Sequence, residues 1–416
     1  MNDPKTPGVY INEVESGPRP IQAVGTSTAG FVGYAPDPDV PVSTQAQQIL
    51  NPTQFQLRFN PGGKPETNLS RAVNGFFQNG GRLCYVVNLG KEADRPPITS
   101  GGAGRRVGLD LLEEVDQIAI VAAPGLTDQA QQEALLSHCE KLGDRVGILD
   151  PPDGISDLES LTRFDAPPPP SSRRAVSSGD GTPSAPPPPP ARAFVRKSNF
   201  AAAYFPWLKV PDWSAGGGAL VSVPPSGHMA GVWARTDATR GVHKAPANEP
   251  IRGVVDLSYR VVDAEQDLLN DIGVNCIRTF SMEGIRVWGS RTLFSDQEWR
   301  YLNVRRLFIM IEESIMIGTR WVVFEPNDRT LWKSISRDVS AFLTNLWRGG
   351  ALMGRTPAEA FFVKCDEETN PPESIAAGKV VITVGIAPVM PAEFVIFNIS
   401  QTDSTARSSG GGATSV

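Results

Sequence analysis

The stretch from Ile118 to Gly154 reads IAIVAAPGLTDQAQQEALLSHCEKLGDRVGILDPPDG, and it decides the fold class. Its first part, IAIVAAPG, is an apolar run stopped by Pro124-Gly125, the mark of a buried strand. TDQAQQEALLSHCEKLGD follows as an amphipathic helix with Thr127 as its N-cap. RVGILDPPDG is a second apolar strand closed by prolines. Strand, helix, strand is the unit of an α/β layer.

The same order recurs on the N-terminal side. Ala29 to Tyr34 is a short strand of small and apolar residues. In TNLSRAVNGFFQNGG, Leu69, Val73, Phe76 and Phe77 share a helix face and Gly80-Gly81 end it. RLCYVVNL then reads as a buried strand, and GLDLLEEVDQ as a further helix. On the C-terminal side FAAAYFPWLKV reads as one buried strand, and Ser226 to Asp237 as a helix of small residues. A helix capped by Asp263 and Gln266 precedes two strands around a Met282-Glu283-Gly284 turn. Ser295 and Glu298 form a capping box that opens a core helix of about six turns. WVVFEPND reads as strand and turn. The next helix places Leu331, Ile335, Val339, Phe342, Leu343 and Leu346 on one face, with Lys333, Arg337 and Arg348 off it. Thr356 and Pro357 open a short helix, and GKVVITVGIAP and AEFVIFNISQ are closing strands.

Composition bounds the function. The chain has 416 residues, enough for two or three domains, with 40% apolar and 20% charged residues. A net charge of -6 lacks the basic stripe of a nucleic-acid binder. No apolar run reaches the ~18 residues of a membrane helix, and MNDPKTPG lacks the pattern of a signal peptide. Cys84, Cys139, Cys276 and Cys365 lie far apart, which speaks against a disulfide framework or zinc site and for a reducing cytoplasm.

Two stretches stand outside this pattern. Ala166 to Arg192, APPPPSSRRAVSSGDGTPSAPPPPPAR, has almost no apolar side chain beyond proline and reads as a solvated loop; a partner-binding module is the sharper alternative. Near the start, Val9, Tyr10, Ile11 and Val14 read as a strand fenced by Pro7-Gly8 and Gly17-Pro18. No partner strand lies close by, although a lone strand leaves half its backbone groups unpaired.

Catalytic signatures were sought and none is present in the sequence. It holds no GxxxxGK[ST] loop and no GxSxG elbow, and GAGRRVG misplaces the last glycine of a dinucleotide fingerprint. His138, His228 and His243 supply no paired metal-ligand set. The cluster His228, Arg235, Asp237, Arg240, His243 and Lys244 is the most enzyme-like, yet it brings no nucleophile or metal. The structural reading is close packing of small residues with Arg and Asp paired to each other or to a neighbouring chain. Cys276 reads as a buried small side chain. Arg305 and Arg306 read first as solvated salt-bridging groups, with subunit contact as the alternative.

Taken together, PGVYINEV with GTSTAGFVG, VAAPGLTD with HCE and ILDPP, and ARTDATRGVHKAPANEPIRG resemble the tail sheath proteins of contractile phage tails and injection systems. So do LLNDIGVNCIR, IRVWGSRTLFSDQEWRYLNVRRLFIMIEESI, WVVFEPND, LWRGGALMGRTPAEAFFVKCDEETN and PAEFVIFNISQ. The chain is short for that family, and the proline-rich loop has no counterpart in it.

The resemblance implies an α/β (α+β) fold: a mixed-sheet core from 21–90 and 193–390, a small α/β domain inserted at 91–165, the loop at 166–192 and a disordered tail at 402–416. The part from about 280 to 390 would face the tube. It implies arms at 1–20 and 391–401 that add strands to neighbours' sheets. On this chain the exchanged side chains would be Val9, Tyr10, Ile11 and Val14, then Phe394, Val395, Ile396, Phe397 and Ile399, with Gly17 and Pro18 as hinge. Implied partners are further copies in hexameric rings, an inner tube, a baseplate and a terminator or cap, with no nucleic acid and no membrane insertion. No catalytic, cofactor or metal residue is implied. The particle would be assembled in the cytoplasm. Lys333 and Arg337 are the candidate tube contact.

Overall fold

The computed structural model describes residues 20–94, 96, 98–99, 104, 106–164, 192–212, 218–294 and 296–394. The expected exchange residues Val9 to Val14 and Val395 to Ile399, the hinge Gly17-Pro18, the tail and all of the proline-rich loop but Arg192 lie outside them.

In chain order, β1 (Ala29–Gly33) is wholly buried and leads through β2 (Gln47–Ile49), α1 (Pro52–Phe59) and α2 (Asn68–Gln78) to β3 (Cys84–Asn88). Thr67 caps α2: its Oγ1 accepts from the Ser70 amide while Ser70 Oγ accepts from the Thr67 amide. A 3-10 helix, Leu109–Glu114, takes the place of the α-helix expected in GLDLLEEVDQ. Then come β4 (Ile120–Ala122), α3 (Gln129–Leu142), β5 (Val146–Leu149) and a single turn, α4 (Glu159–Thr162). The capping residue of α3 is Asp128, one position after the expected Thr127.

FAAAYFPWLKV is two strands, β6 (Ala201–Phe205) and β7 (Leu208–Pro211), because Pro206 interrupts the ladder. β8 (Leu220–Val223), α5 (Ser226–Arg240), β9 (Asp256–Leu257) and α6 (Asp263–Asp271) follow. The expected pair at the start of α6 shifts by one: the Glu265 carboxylate accepts from the Val262 amide. β10 (Val274–Phe280) and β11 (Gly284–Trp288) form the expected hairpin.

The next helix, α7 (Leu302–Gly318), starts later than the Ser295 and Glu298 pattern predicts. The Thr292 amide donates to Arg300 O and its hydroxyl to Trp299 O, just ahead of α7, while Ser295 lies outside the described residues. WVVFEPND is not a strand but a 3-10 turn, Arg320–Val322, and a bend. α8 (Arg329–Arg348), α9 (Pro357–Ala360), β12 (Phe361–Lys364), α10 (Pro372–Ala376) and β13 (Thr383–Ile386) complete the chain.

Eight strands form one mixed sheet in the order β11-β10-β6-β5-β4-β1-β3-β2. The strands from β10 to β3 run parallel; β11 and β2 are antiparallel edges. Successive residues alternate between two cores, as a sheet covered on both faces requires. Phe31, Val86, Ile120 and Tyr204 point to the side packed by α2 and α5; Val32, Val87, Val121 and Phe205 point to the side of the 3-10 helix, α3 and α6.

The residues of the expected inserted domain at 91–165 contribute two strands to this sheet. These strands, β4 and β5, sit mid-sheet, hydrogen-bonded to β1 and β6. Both are apolar on both faces, which suits the centre of the sheet.

A third core joins α7 and α8 to the small β12-β13 sheet. α7 spans both parts: Leu302 and Ile309 pack on the large sheet, Leu307, Met310 and Ile311 on α8. Burying Ile335, Val339, Phe342 and Leu343 of α8 contributes roughly 6–12 kcal/mol at ~1.5–3 each.

Candidate functional site

In an open parallel sheet, the ligand crevice lies beyond the strand C-termini where strand order reverses. Here the order reverses at β1, whose neighbours are β3 and β4. Asp150, at the end of β5, is buried; its carboxylate accepts from the Ser226 amide at 2.9 Å, the Ser226 hydroxyl at 2.6 Å and the Gly125 amide at 3.2 Å. Burial pushes its pKa up to about 6 against the pull of those donors. Asp150 therefore ties the sheet to the start of α5.

The enzyme-like cluster is dispersed. His228 lies under α2, where a Cβ on Gly75 would come within 2.4 Å of its ring, and burial pushes its pKa down to about 4. Arg235 donates to Asn79 O and Pro250 O. Asp237 faces α7, where Arg306 grips it through two nitrogens at 2.6 and 3.0 Å. Arg240, His243 and Lys244 line a separate cleft. Among the described residues no group of His, Cys, Asp and Glu is arranged to hold a metal ion. All four cysteines are free and buried, and burial pushes the Cys276 thiol up to about 12.

Arg305 and Arg306 overturn the solvated-face expectation, because both are buried. Arg305 stacks on the Phe200 and Trp299 rings, its guanidinium carbon 4.0 and 4.7 Å from their centroids. Arg306 lies over Trp233 and also donates to Thr26 O, while the Thr26 hydroxyl donates to Asp237. The sequence suggested that Arg and Asp pair with each other or with a neighbouring chain; the partner of Asp237 is an Arg of the same chain, 69 positions away. This knot holds the N-terminal segment on α7. There the Val24 amide donates to Ser314 Oγ at 3.0 Å, and Ile21 packs against Gly318.

The C-terminal segment has its own anchor, which the sequence did not single out. Both Glu393 oxygens accept from Arg291, at 2.9 and 2.5 Å, and one from the Tyr301 hydroxyl at 3.3 Å. Asn303 Nδ2 donates to Val389 O. One residue past the anchor, Phe394 is 75% exposed. The first and the last described segments are thus each held at a fixed point. Nearby, β12 and β13 form a two-stranded sheet with no third strand among the described residues. On α8, Lys333 and Arg337 are exposed, with Arg337 beside Asp338 at 3.0 Å.

The chain matches the family descriptions "phage tail sheath protein central domain" over residues 171–293 and "phage tail sheath C-terminal domain" over residues 295–402. It is 30% identical over 200 residues to a putative prophage major tail sheath protein of Pseudomonas aeruginosa (strain UCBPP-PA14), covering 47% of this chain and half the length of that relative. To the tail sheath protein of Escherichia phage P2 it is 23% identical over 406 residues, 95% of each chain. The fold matches the anti-feeding prophage helical sheath in its contracted state with a TM-score of 0.72 and 32% identity, over 96% of this chain and 100% of that one. It also matches the contracted sheath complex of the extracellular contractile injection system PVC, with a TM-score of 0.73 and 28% identity over 98% and 100%.

Proposed function

The chain belongs to the contractile tail sheath protein family, and from that premise we propose that it polymerises as stacked hexameric rings around an inner tube. On a trigger from the baseplate the sheath contracts and drives the tube through a target envelope. A terminator or cap closes the far end. The subunit is made and assembled in the cytoplasm as part of a phage tail or tail-like particle, from which release to the outside follows.

The observation that supports this reading is the pairing of two anchored terminal segments, at Val24 and Glu393, with a sheet of only two strands among the described residues. Among the described residues no third strand pairs with β12 or β13, and a two-stranded sheet is marginal alone. Strands from neighbouring copies extend it and place alternate side chains in the acceptor's pockets. The N-terminal arm offers Val9, Tyr10, Ile11 and Val14, the C-terminal arm Phe394 to Ile399. Four apolar side chains contribute roughly 6–12 kcal/mol, against about 1–2 kcal/mol per residue for ordering the strand. Each arm alone is weak, and the lattice holds because many act together. Gly17 and Pro18 hinge the arm so that the mesh shears without parting.

The exposed basic side of α8, through Lys333 and Arg337, rests on an acidic tube surface. Energy for contraction is stored in the lattice, so no nucleotide or cofactor takes part. Electron microscopy of the purified protein with its tube partner tests this. Hollow striated tubes are expected; a uniform small particle contradicts the reading. Lys333→Glu with Arg337→Glu is expected to reduce co-sedimentation with the tube severalfold, and unchanged co-sedimentation removes α8 from the contact.

A further inference from the structure

The segment Val389–Glu393 forms a wall shared by two clefts. One, of about 620 Å³, is bounded by α6, Trp288 and Phe394. The other, of about 630 Å³, opens beside the end of the β13 extension and is lined by Arg240, His243, Lys244, Gly350, Val389 and Met390, among others. This second cleft gathers two cationic side chains, Arg240 and Lys244, and the imidazole of His243. Neither the Arg240 guanidinium nor the His243 ring has a hydrogen-bond or ion-pair partner among the described residues. Lys244 reaches only backbone oxygens, those of Ala245 and Ala247. Glu249, the carboxylate on the rim, is turned toward Arg235 at 3.9 Å. Burial lowers the pKa of both His243 and Lys244; the Arg240 charge lowers them further, and the Glu249 carboxylate pulls Lys244 part of the way back up. An incoming anion would relieve that repulsion. Met390 adds an exposed apolar wall, 52% accessible.

The chain itself contains a segment of matching chemistry. From Gly8 to Gly17, GVYINEVESG carries two charges, and both are carboxylates: Glu13 and Glu15. On a strand these two share a face with Val9 and Ile11, because side chains alternate. Two positions apart, they sit ~6.6 Å from each other, within the span of one cleft. That face therefore reads apolar, apolar, acidic, acidic, and the acceptor offers an apolar wall at Val389 and Met390 next to the cations.

We propose that the Arg240, His243 and Lys244 cleft is the seat for Glu13 and Glu15 of a neighbouring copy's N-terminal arm. The assignment rests on the strand-exchange reading above and adds to it a charge lock that fixes the register of the arm. A one-residue slip would turn both carboxylates away from the cleft and bury Asn12 and Val14 in their place.

Cross-linking tests the contact directly. Glu13→Cys with Lys244→Cys, and separately Glu15→Cys with His243→Cys, are introduced into the full chain; the native cysteines are all buried. Assembled tubes are then oxidised. A ladder of covalent dimers and higher species on a non-reducing gel is expected from at least one pair, and tubes with no ladder from either pair overturn the seat. Glu13→Lys with Glu15→Lys is expected to lower the pelleted fraction at least tenfold, and adding Arg240→Glu with Lys244→Glu to the same chain to restore it. Reversed-charge arms that assemble like the unaltered chain also overturn it. A chain lacking residues 1–15 separates the two readings. If it forms no tubes while the cross-links fail, exchange stands and this seat falls; if it forms normal tubes, exchange itself falls.

Discussion

At the scale of single residues, buried charge decides how the halves of the chain hold together. Arg306 and Asp237 are 3% and 5% exposed and paired through two hydrogen bonds. Removing one partner leaves the other charge buried and uncompensated, at a cost of about 3–5 kcal/mol. Asp237→Ala is expected to lower the stability of the unassembled subunit by that amount in urea unfolding; a change under about 1 kcal/mol contradicts the knot. His228 gives a pH signature. Its imidazole ionises only near pH 4 in the folded chain, against 6.5 when exposed. The stability it contributes is full above about pH 6.5 and is lost as pH falls toward 4, because the unfolded chain takes up the proton first. The loss reaches about 3 kcal/mol. His138 is shifted the same way, so the test is a difference. His228→Gln is expected to lose about 2–3 kcal/mol less than the unaltered chain between pH 7 and pH 4. Equal losses contradict it. None of this was legible in the sequence beyond the suspicion that Arg and Asp pair. A charge partner 69 positions away has no local signal, and the helical pattern around Arg305 and Arg306 suited a solvated face equally well.

At the scale of elements, close approach does the work that side-chain bulk does elsewhere. α5 crosses α2 through Gly227 and Gly231. A Cβ at Gly231 would lie 2.5 Å from Phe76 O, and one at Gly227 2.4 Å from the Ala72 Cα. In an open helix Gly→Ala stabilises by roughly 0.5–1 kcal/mol. Here Gly231→Ala is expected to destabilise by about 1–3 kcal/mol, because backbone must move. Stabilisation in urea unfolding would show that the helices have room. The small-residue helix, the β-hairpin around Met282 to Gly284, α2 and α8 were all readable, because periodicity and turn residues are local. Element starts were not: Pro206 split one strand, and α7 begins at Leu302, after the hydrogen bonds that Thr292 makes to Trp299 and Arg300. Where a pattern is local the sequence carries it, and where a helix begins depends also on hydrogen bonds made outside it.

At the scale of the whole molecule, α7 joins the eight-stranded sheet to the two-stranded β12-β13 sheet. The residues after about Lys91 read as a small α/β layer, and the family resemblance implied that this layer is an outer insert. The sequence could not show that β4 and β5 enter the centre of a sheet begun by β1, since strand order is a property of long-range pairing. The assembly surface, in contrast, was visible from the start. Val9 to Val14 reads in the sequence as a strand with no local partner, and the proposal is that another copy supplies one. The central claim is that exchanged arms build the sheath. It is tested most directly by electron microscopy of the chain lacking residues 1–15, beside the full chain, with thermal unfolding as a control. The truncated subunit is expected to keep its melting temperature within a few degrees and to form no tubes, while the full chain forms them. Tubes of normal length from the truncated subunit would contradict the account.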